Sequence, residues 1–89
     1  PATGENKIPY SGDRVETMML VEKAFSDMEC LKIDGVRVVY PDGWFLCRPS
    51  NTEPVLIMRA EAHTNQSLRA LLSDVVSRMI GVVDVSELN

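Results

Sequence analysis

Three apolar runs follow one another between residues 36 and 61 with little between them, and that spacing limits the fold more than any other feature. Val36, Val38 and Tyr40 alternate with Arg37 and Val39, then come Trp44-Phe45-Leu46-Cys47 and a run over 55–61 that opens with Val55-Leu56-Ile57-Met58. Short bounded runs of β-branched, aromatic and aliphatic residues read as strands. Pro41-Asp42-Gly43 is a strong reversal signal, so 36–40 and 44–47 form a hairpin. Strands in such close succession pair antiparallel, because a parallel link needs a longer crossover.

Helical patterns flank this core. Asp13 and Glu16 have capping-box spacing, and Val15, Met18, Met19, Ala24, Phe25 and Met28 fall along one side of a helix over 14–27. Its methionines read as adaptable packing. Leu31-Lys32-Ile33 makes a short strand before a turn at Asp34-Gly35. In the last helix Leu68, Leu71, Leu72, Val75, Val76 and Met79 recur at spacings of three and four. Thr64 or Asn65 can cap its start and Gly81 can end it. The expected class is α+β, a small antiparallel sheet packed with two helices and covered on one face. Residues 1–12 read as a linker or disordered start, 13–82 as the domain and 83–89 as a tail.

A chain of 89 residues supports one small core. Its formal charge of −4 argues against nucleic acid or an anionic membrane as partner, but not against a small phosphate held by a few local donors. Cys30 and Cys47 lie beside apolar residues without CxxC spacing, as buried free thiols would, and nothing supports a disulfide. No signal peptide and no apolar stretch near twenty residues is visible. A cytoplasmic setting is the default, and secretion after loss of a leader is also compatible. Because the first residue is Pro1, the sequence reads as processed or excised from something longer.

Between the second and third runs stands Arg48-Pro49-Ser50-Asn51-Thr52-Glu53-Pro54. Arg48 offers a planar fork matched to two phosphate oxygens. Ser50 and Thr52 offer hydroxyl protons, and Asn51 a side-chain NH₂. A tight turn over 50–52 would aim successive backbone N–H groups inward as a nest, stiffened by Pro49 and Pro54. Glu53 has the wrong charge for such a site; it is expected to pair with Arg59 or Arg37, or to brace the loop. Composition alone leaves three readings open: a phosphate site, an ordinary loop or a protein-contact surface. A complete enzyme is not among them. Ser50 has no neighbouring base, and His63 at a strand-to-helix junction reads as structural or surface. Tyr10, Tyr40 and Trp44 form no stacking platform interleaved with basic residues.

The stretch from Asp42 to Pro54 resembles the C-terminal domain of the alpha-D-phosphohexomutases, in particular the phosphomannomutase/phosphoglucomutase group. The resemblance runs from about residue 15 through Glu61-Ala62 into the last helix. It implies a fourth domain with a TATA-box-binding-protein-like α+β fold, in which Arg48, Ser50, Asn51 and Thr52 resemble the ligands of a sugar phosphate. The implied activity interconverts hexose 1-phosphate and hexose 6-phosphate through a phosphoserine. That serine, a Mg²⁺ loop and a sugar-recognition loop belong to three further domains, so no catalytic residue and no metal ligand is expected here and this piece alone would be inactive. Asn51, where the glucosamine-phosphate branch commonly has glycine, points to glucose or mannose phosphates. The partners implied are the hexose phosphate and the other three domains, with no nucleic acid and no membrane. The rival is a stand-alone non-catalytic interaction or regulatory module on the same scaffold.

Overall fold

The computed structural model describes residues 1–86 and 88. Five strands form one antiparallel sheet: β1 (Asn6–Pro9), β2 (Cys30–Leu31), β3 (Val36–Tyr40), β4 (Gly43–Pro49) and β5 (Val55–Ala62). Two helices complete the fold, α1 (Arg14–Ala24) between β1 and β2, and α2 (Asn65–Arg78) after β5. The spatial order is β1-β5-β4-β3-β2. The α+β class and antiparallel pairing expected from the sequence are what the chain adopts.

Register decides which residues share a face. Cys47 pairs with Val36 and Met58, and Phe45 with Val38 and Ala60, so these six point to one side. Both helices cover that side. Val21 from α1 and Phe25 just after it, with Leu71 and Val75 from α2 and Met79 just after it, join them in one buried cluster. Phe25 and Phe45 meet with ring centroids 5.6 Å apart. The opposite face carries Arg37, Leu46 and Arg59 in register, with the Arg37 guanidinium 4.5 Å from the Trp44 ring centroid. Gly43 closes the tight β3–β4 reversal, where a Cβ would stand 2.1 Å from the Glu61 carbonyl oxygen.

Several expectations need correction. Residues 1–12, read as a linker or disordered start, contribute β1, which pairs with β5 from Asn6↔Met58 to Pro9↔Val55. Thr3 extends the seam: its amide donates to the Ala60 carbonyl and its hydroxyl accepts from the Ala60 amide. Ile8 and Tyr10 pack against the core, an alternation too short to stand out among turn formers. Helix α1 stops at Ala24 rather than 27; of its expected line Phe25 is buried and Met18, Ala24 and Met28 pack against the core, but Val15 and Met19 do not, and Thr17 and Val21 are buried instead. Val15 and Met19 are 64% and 63% exposed. Phe25 anchors the buried side, its ring meeting that of Phe45. The short strand is Cys30–Leu31, leaving Ile33 exposed. In the expected tail, Val85 and Leu88 are buried, while Glu87 and Asn89 lie outside the described residues.

Both helix starts are capped as anticipated. The Asp13 carboxylate accepts from the Glu16 amide at 2.9 Å, and the Thr64 hydroxyl accepts from the Ser67 amide at 3.0 Å. Gly81, at φ 84°, follows the end of α2. Cys47 is buried and free, its thiol pushed up to about 12 by desolvation, and half-buried Cys30 is also free.

Candidate functional site

Arg48 is fixed by the sheet. It lies in β4 opposite Ile57 of β5, one residue before the strand ends at Pro49. Its guanidinium makes no hydrogen bond or ion pair with any described residue. The chain then turns through 50–54 into β5, closed at its base by the Ser50 amide donating to the Val55 carbonyl at 3.0 Å.

Inside this turn the polar groups divide. The buried Ser50 hydroxyl accepts from the amides of Thr52 and Glu53, each at 3.2 Å, and lies 3.4 Å from the Thr52 hydroxyl. The expected nest of inward amides over 50–52 is therefore largely spent on the loop itself. Of those three amides, only that of Asn51 donates to no described residue. Glu53 does not pair with Arg59 or Arg37; it meets Lys7 of β1 at 2.9 Å. The Glu53 hydrogen bond and charge hold the Lys7 pKa above its ordinary value.

Arg48 and Asn51 come together in a depression of about 590 Å³ between α1, the 32–35 turn and the end of β4. Arg14, Met18, Glu22, Lys32, Asp34, Gly35 and Pro49 supply the rest of its lining. Its size suits a small-molecule ligand. Three cations and two carboxylates line it, but Lys32 and Glu22 neutralise one another at 3.2 Å. Arg14 has no carboxylate partner among the described residues; its Nη1 reaches the Asn51 side-chain oxygen at 3.5 Å. Ser50 and Thr52 are not part of the lining.

Sequence reasoning missed Arg14, Lys32 and Lys7. Each reaches the loop only through β1 or through the turn before β3, and no spacing within 48–54 points to them. The one local hint, the short Ile8 and Tyr10 alternation, is too weak to reveal Lys7 and Arg14; it is the Tyr10 amide donating to the Pro54 carbonyl that brings the start of α1 beside the loop.

Other features are structural. The His63 backbone amide and ring Nδ1 both reach the Asp42 carbonyl at 2.9 Å, so the imidazole closes the β3–β4 reversal against the end of β5. A groove of about 440 Å³ beside the end of α2 is lined by Val76, Ile80, Val82, Val83 and Val85 and offers no cation. Among the described residues no three His, Cys, Asp or Glu side chains cluster to hold a metal, and no helix is long and apolar enough to cross a membrane.

The sequence family described as phosphoglucomutase/phosphomannomutase, C-terminal domain, matches residues 9–78, which spans the sheet from Pro9, both helices and the loop. The chain belongs to that family. As a phosphoglucomutase/phosphomannomutase C-terminal domain it is similar to a probable phosphoglucosamine mutase of Pyrococcus horikoshii, 36% identical over 75 residues, or 79% of this chain and 17% of the relative. It is also similar to a phosphomannomutase/phosphoglucomutase of Pseudomonas syringae pv. tomato, 51% identical over 47 residues, or 53% of this chain and 10% of that protein. A solved structure of a phosphoglucomutase/phosphomannomutase family protein from Burkholderia thailandensis superposes with a TM-score of 0.76 at 30% identity, covering 92% of this chain and 18% of the other. The chain thus spans less than a fifth of the length of each of these relatives. Their names cover more than one sugar, so membership gives the mutase family without selecting its hexose.

Proposed function

We propose that this chain is the substrate-phosphate-binding domain of a phosphohexomutase that interconverts hexose 1-phosphate and hexose 6-phosphate, with glucose or mannose as the sugar. The observation that carries the proposal is Arg48. In a chain of this family, an arginine on a rigid strand end, unpaired with any described carboxylate, lines the same depression as Asn51. A guanidinium held by the sheet and not engaged by the protein's own groups keeps its donors available for an anion.

On this reading Arg48 grips phosphate oxygens through its fork, and Asn51 donates through its NH₂. The exposed Thr52 hydroxyl adds a donor at the rim. Ser50 braces the turn through its accepted amide bonds, and its own proton serves either the Thr52 hydroxyl, 3.4 Å away, or the phosphate. The domain holds the phosphate that is not being transferred, and that remote grip keeps the reacting end of the sugar in place. The phosphoserine, the Mg²⁺ and the groups moving protons belong to the other three domains. The piece alone is inactive. A cytoplasmic setting goes with this metabolic role.

The test is titration of the ¹⁵N-labelled chain with inorganic phosphate and with mannose 1-phosphate. Amide shifts should concentrate at 48–52, and Arg48→Ala should weaken binding about tenfold, as expected for a charge-assisted pair in a partly exposed site. Shifts scattered over the surface, or affinity unchanged by the substitution, would remove the clamp. The exposed Val15 and Met19 on α1 favour a second reading, a non-catalytic interaction module. An open reading frame near the length of this chain would support it, and one about five times longer the mutase.

A further inference from the structure

The geometry points to Arg14 as a second phosphate-binding arginine of this domain, one that also sets the orientation of Asn51; the inference rests on the phosphate-clamp reading above and adds a residue to it. Three observations converge. Arg14 lines the same depression as Arg48 and Asn51, although it comes from the first turn of α1 and not from the loop. Like Arg48, it has no carboxylate partner among the described residues, so two unneutralised guanidinium groups border one cavity while its third cation, Lys32, is already held by Glu22. Its Nη1 stands 3.5 Å from Asn51 Oδ1.

The last contact has a chemical consequence. An amide side chain presents an acceptor at one end and a donor at the other, and only the donor end suits phosphate oxygens. A guanidinium has donors alone, so its position beside Asn51 accepts one of the two amide orientations and opposes the other. With Oδ1 turned to Arg14, the NH₂ is the end left to a ligand. Arg14 acts twice, as a cation facing the anion and as the group that prevents Asn51 from presenting its oxygen.

The position of Arg14 is built into the fold. The β1–β5 ladder ends at Pro9↔Val55, and the Tyr10 amide continues it to the Pro54 carbonyl. Gly12 takes φ 95°, and Asp13 caps α1 through the Glu16 amide. The chain is therefore delivered to residue 14 directly from the strand that flanks the loop. Opposing the anion, Asp34 and Glu22 are at the same depression. Glu22 is paired with Lys32, so Asp34 alone sets its charge against two free guanidinium groups.

The test measures inorganic phosphate affinity of the chain by amide shifts, with Arg14→Ala, Arg14→Lys, Arg48→Ala and, as a control for charge loss elsewhere, Arg69→Ala on the exposed side of α2. Arg14→Ala should weaken phosphate binding about fivefold or more while the thermal midpoint stays close to the starting chain. Arg69→Ala should remain within about twofold, because an exposed charge outside the depression is screened. Arg14→Lys should recover only part of the loss, since it restores charge without the fork. In the starting chain the Asn51 NH₂ resonances should move with phosphate, and in Arg14→Ala that movement should shrink. A cycle with Asn51→Ala completes the test: the Arg14→Ala loss should be smaller once Asn51 is gone. Phosphate binding abolished by Arg48→Ala but unaffected by Arg14→Ala would overturn the role of Arg14 and leave the clamp standing. Additive losses would overturn its action through Asn51. Absence of any phosphate-dependent shift at 48–52 in the starting chain would overturn both readings together.

Discussion

Gly35 and Arg48 share a space that admits no side chain on the glycine. A Cβ there would lie 2.6 Å from the Cys47 carbonyl oxygen and 2.7 Å from Arg48 Cβ, and the residue already holds φ 142°. Gly35→Ala is expected to destabilise the chain by about 2 kcal/mol, from overpacking and an unfavourable backbone conformation. It should also displace the end of β4 that carries Arg48. A urea midpoint and the phosphate affinity measured on the same sample check this, and a substitution that lowers neither would mean the turn yields freely. At this scale the loop residues were legible because their chemistry is concentrated in a few consecutive positions. What could not be read was how their capacity divides: the Ser50 oxygen accepts from the amides of Thr52 and Glu53, which leaves only its proton for a ligand. A hydroxyl so close to the backbone can serve its own turn before it serves anything else.

Among the elements, Arg78 ties the end of α2 to the end of α1 and to β3. Its Nε donates to Asp74 at 2.8 Å, and its terminal nitrogens reach the Ala24 carbonyl at 3.0 Å and Asp27, while the Tyr40 hydroxyl donates to Asp74 at 2.7 Å. Hydrogen bonding to Arg78 lowers the Asp27 pKa below its ordinary 3.8. Burial pushes Asp74 the other way, but Tyr40 and Arg78 together outweigh it and bring that pKa down too. Carboxylates lowered in the folded state stabilise it fully above their ordinary pKa and lose that contribution as pH falls through the lowered values. Stability should therefore fall as pH drops below about 4 and on through the lowered values, and Arg78→Ala should flatten that limb while lowering the urea midpoint at neutral pH. Equal slopes in the two proteins would show that other carboxylates govern the acid limb. Helix α2 was legible from its apolar spacing, and so was most of the inner side of α1, but Val15 and Met19 face outward while Thr17 and Val21 are buried. The helix is turned by tertiary packing, with Phe25 set against Phe45, twenty residues later in sequence.

For the molecule as a whole, the hairpin order β3–β4–β5 followed from short connections, but the partner of β5 on its far side did not. That strand comes from the opposite end of the sequence, and its four residues have little intrinsic preference for extended structure. Tertiary pairing supplies what propensity does not, with Thr3 and Tyr10 extending the seam beyond the ladder. The loop inherits this arrangement, because Lys7 on β1 holds Glu53. The opening segment thus works as a cover strip. Peeling it away by deleting residues 1–10 would leave the length of β5 with unsatisfied N–H and C=O groups, a template on which a second copy could add its own strand. The shortened protein should self-associate as its concentration rises, which sedimentation would register as a shift from one species to a larger one. A shortened chain that stays monomeric would mean that β5 can turn an unprotected flank to water without consequence.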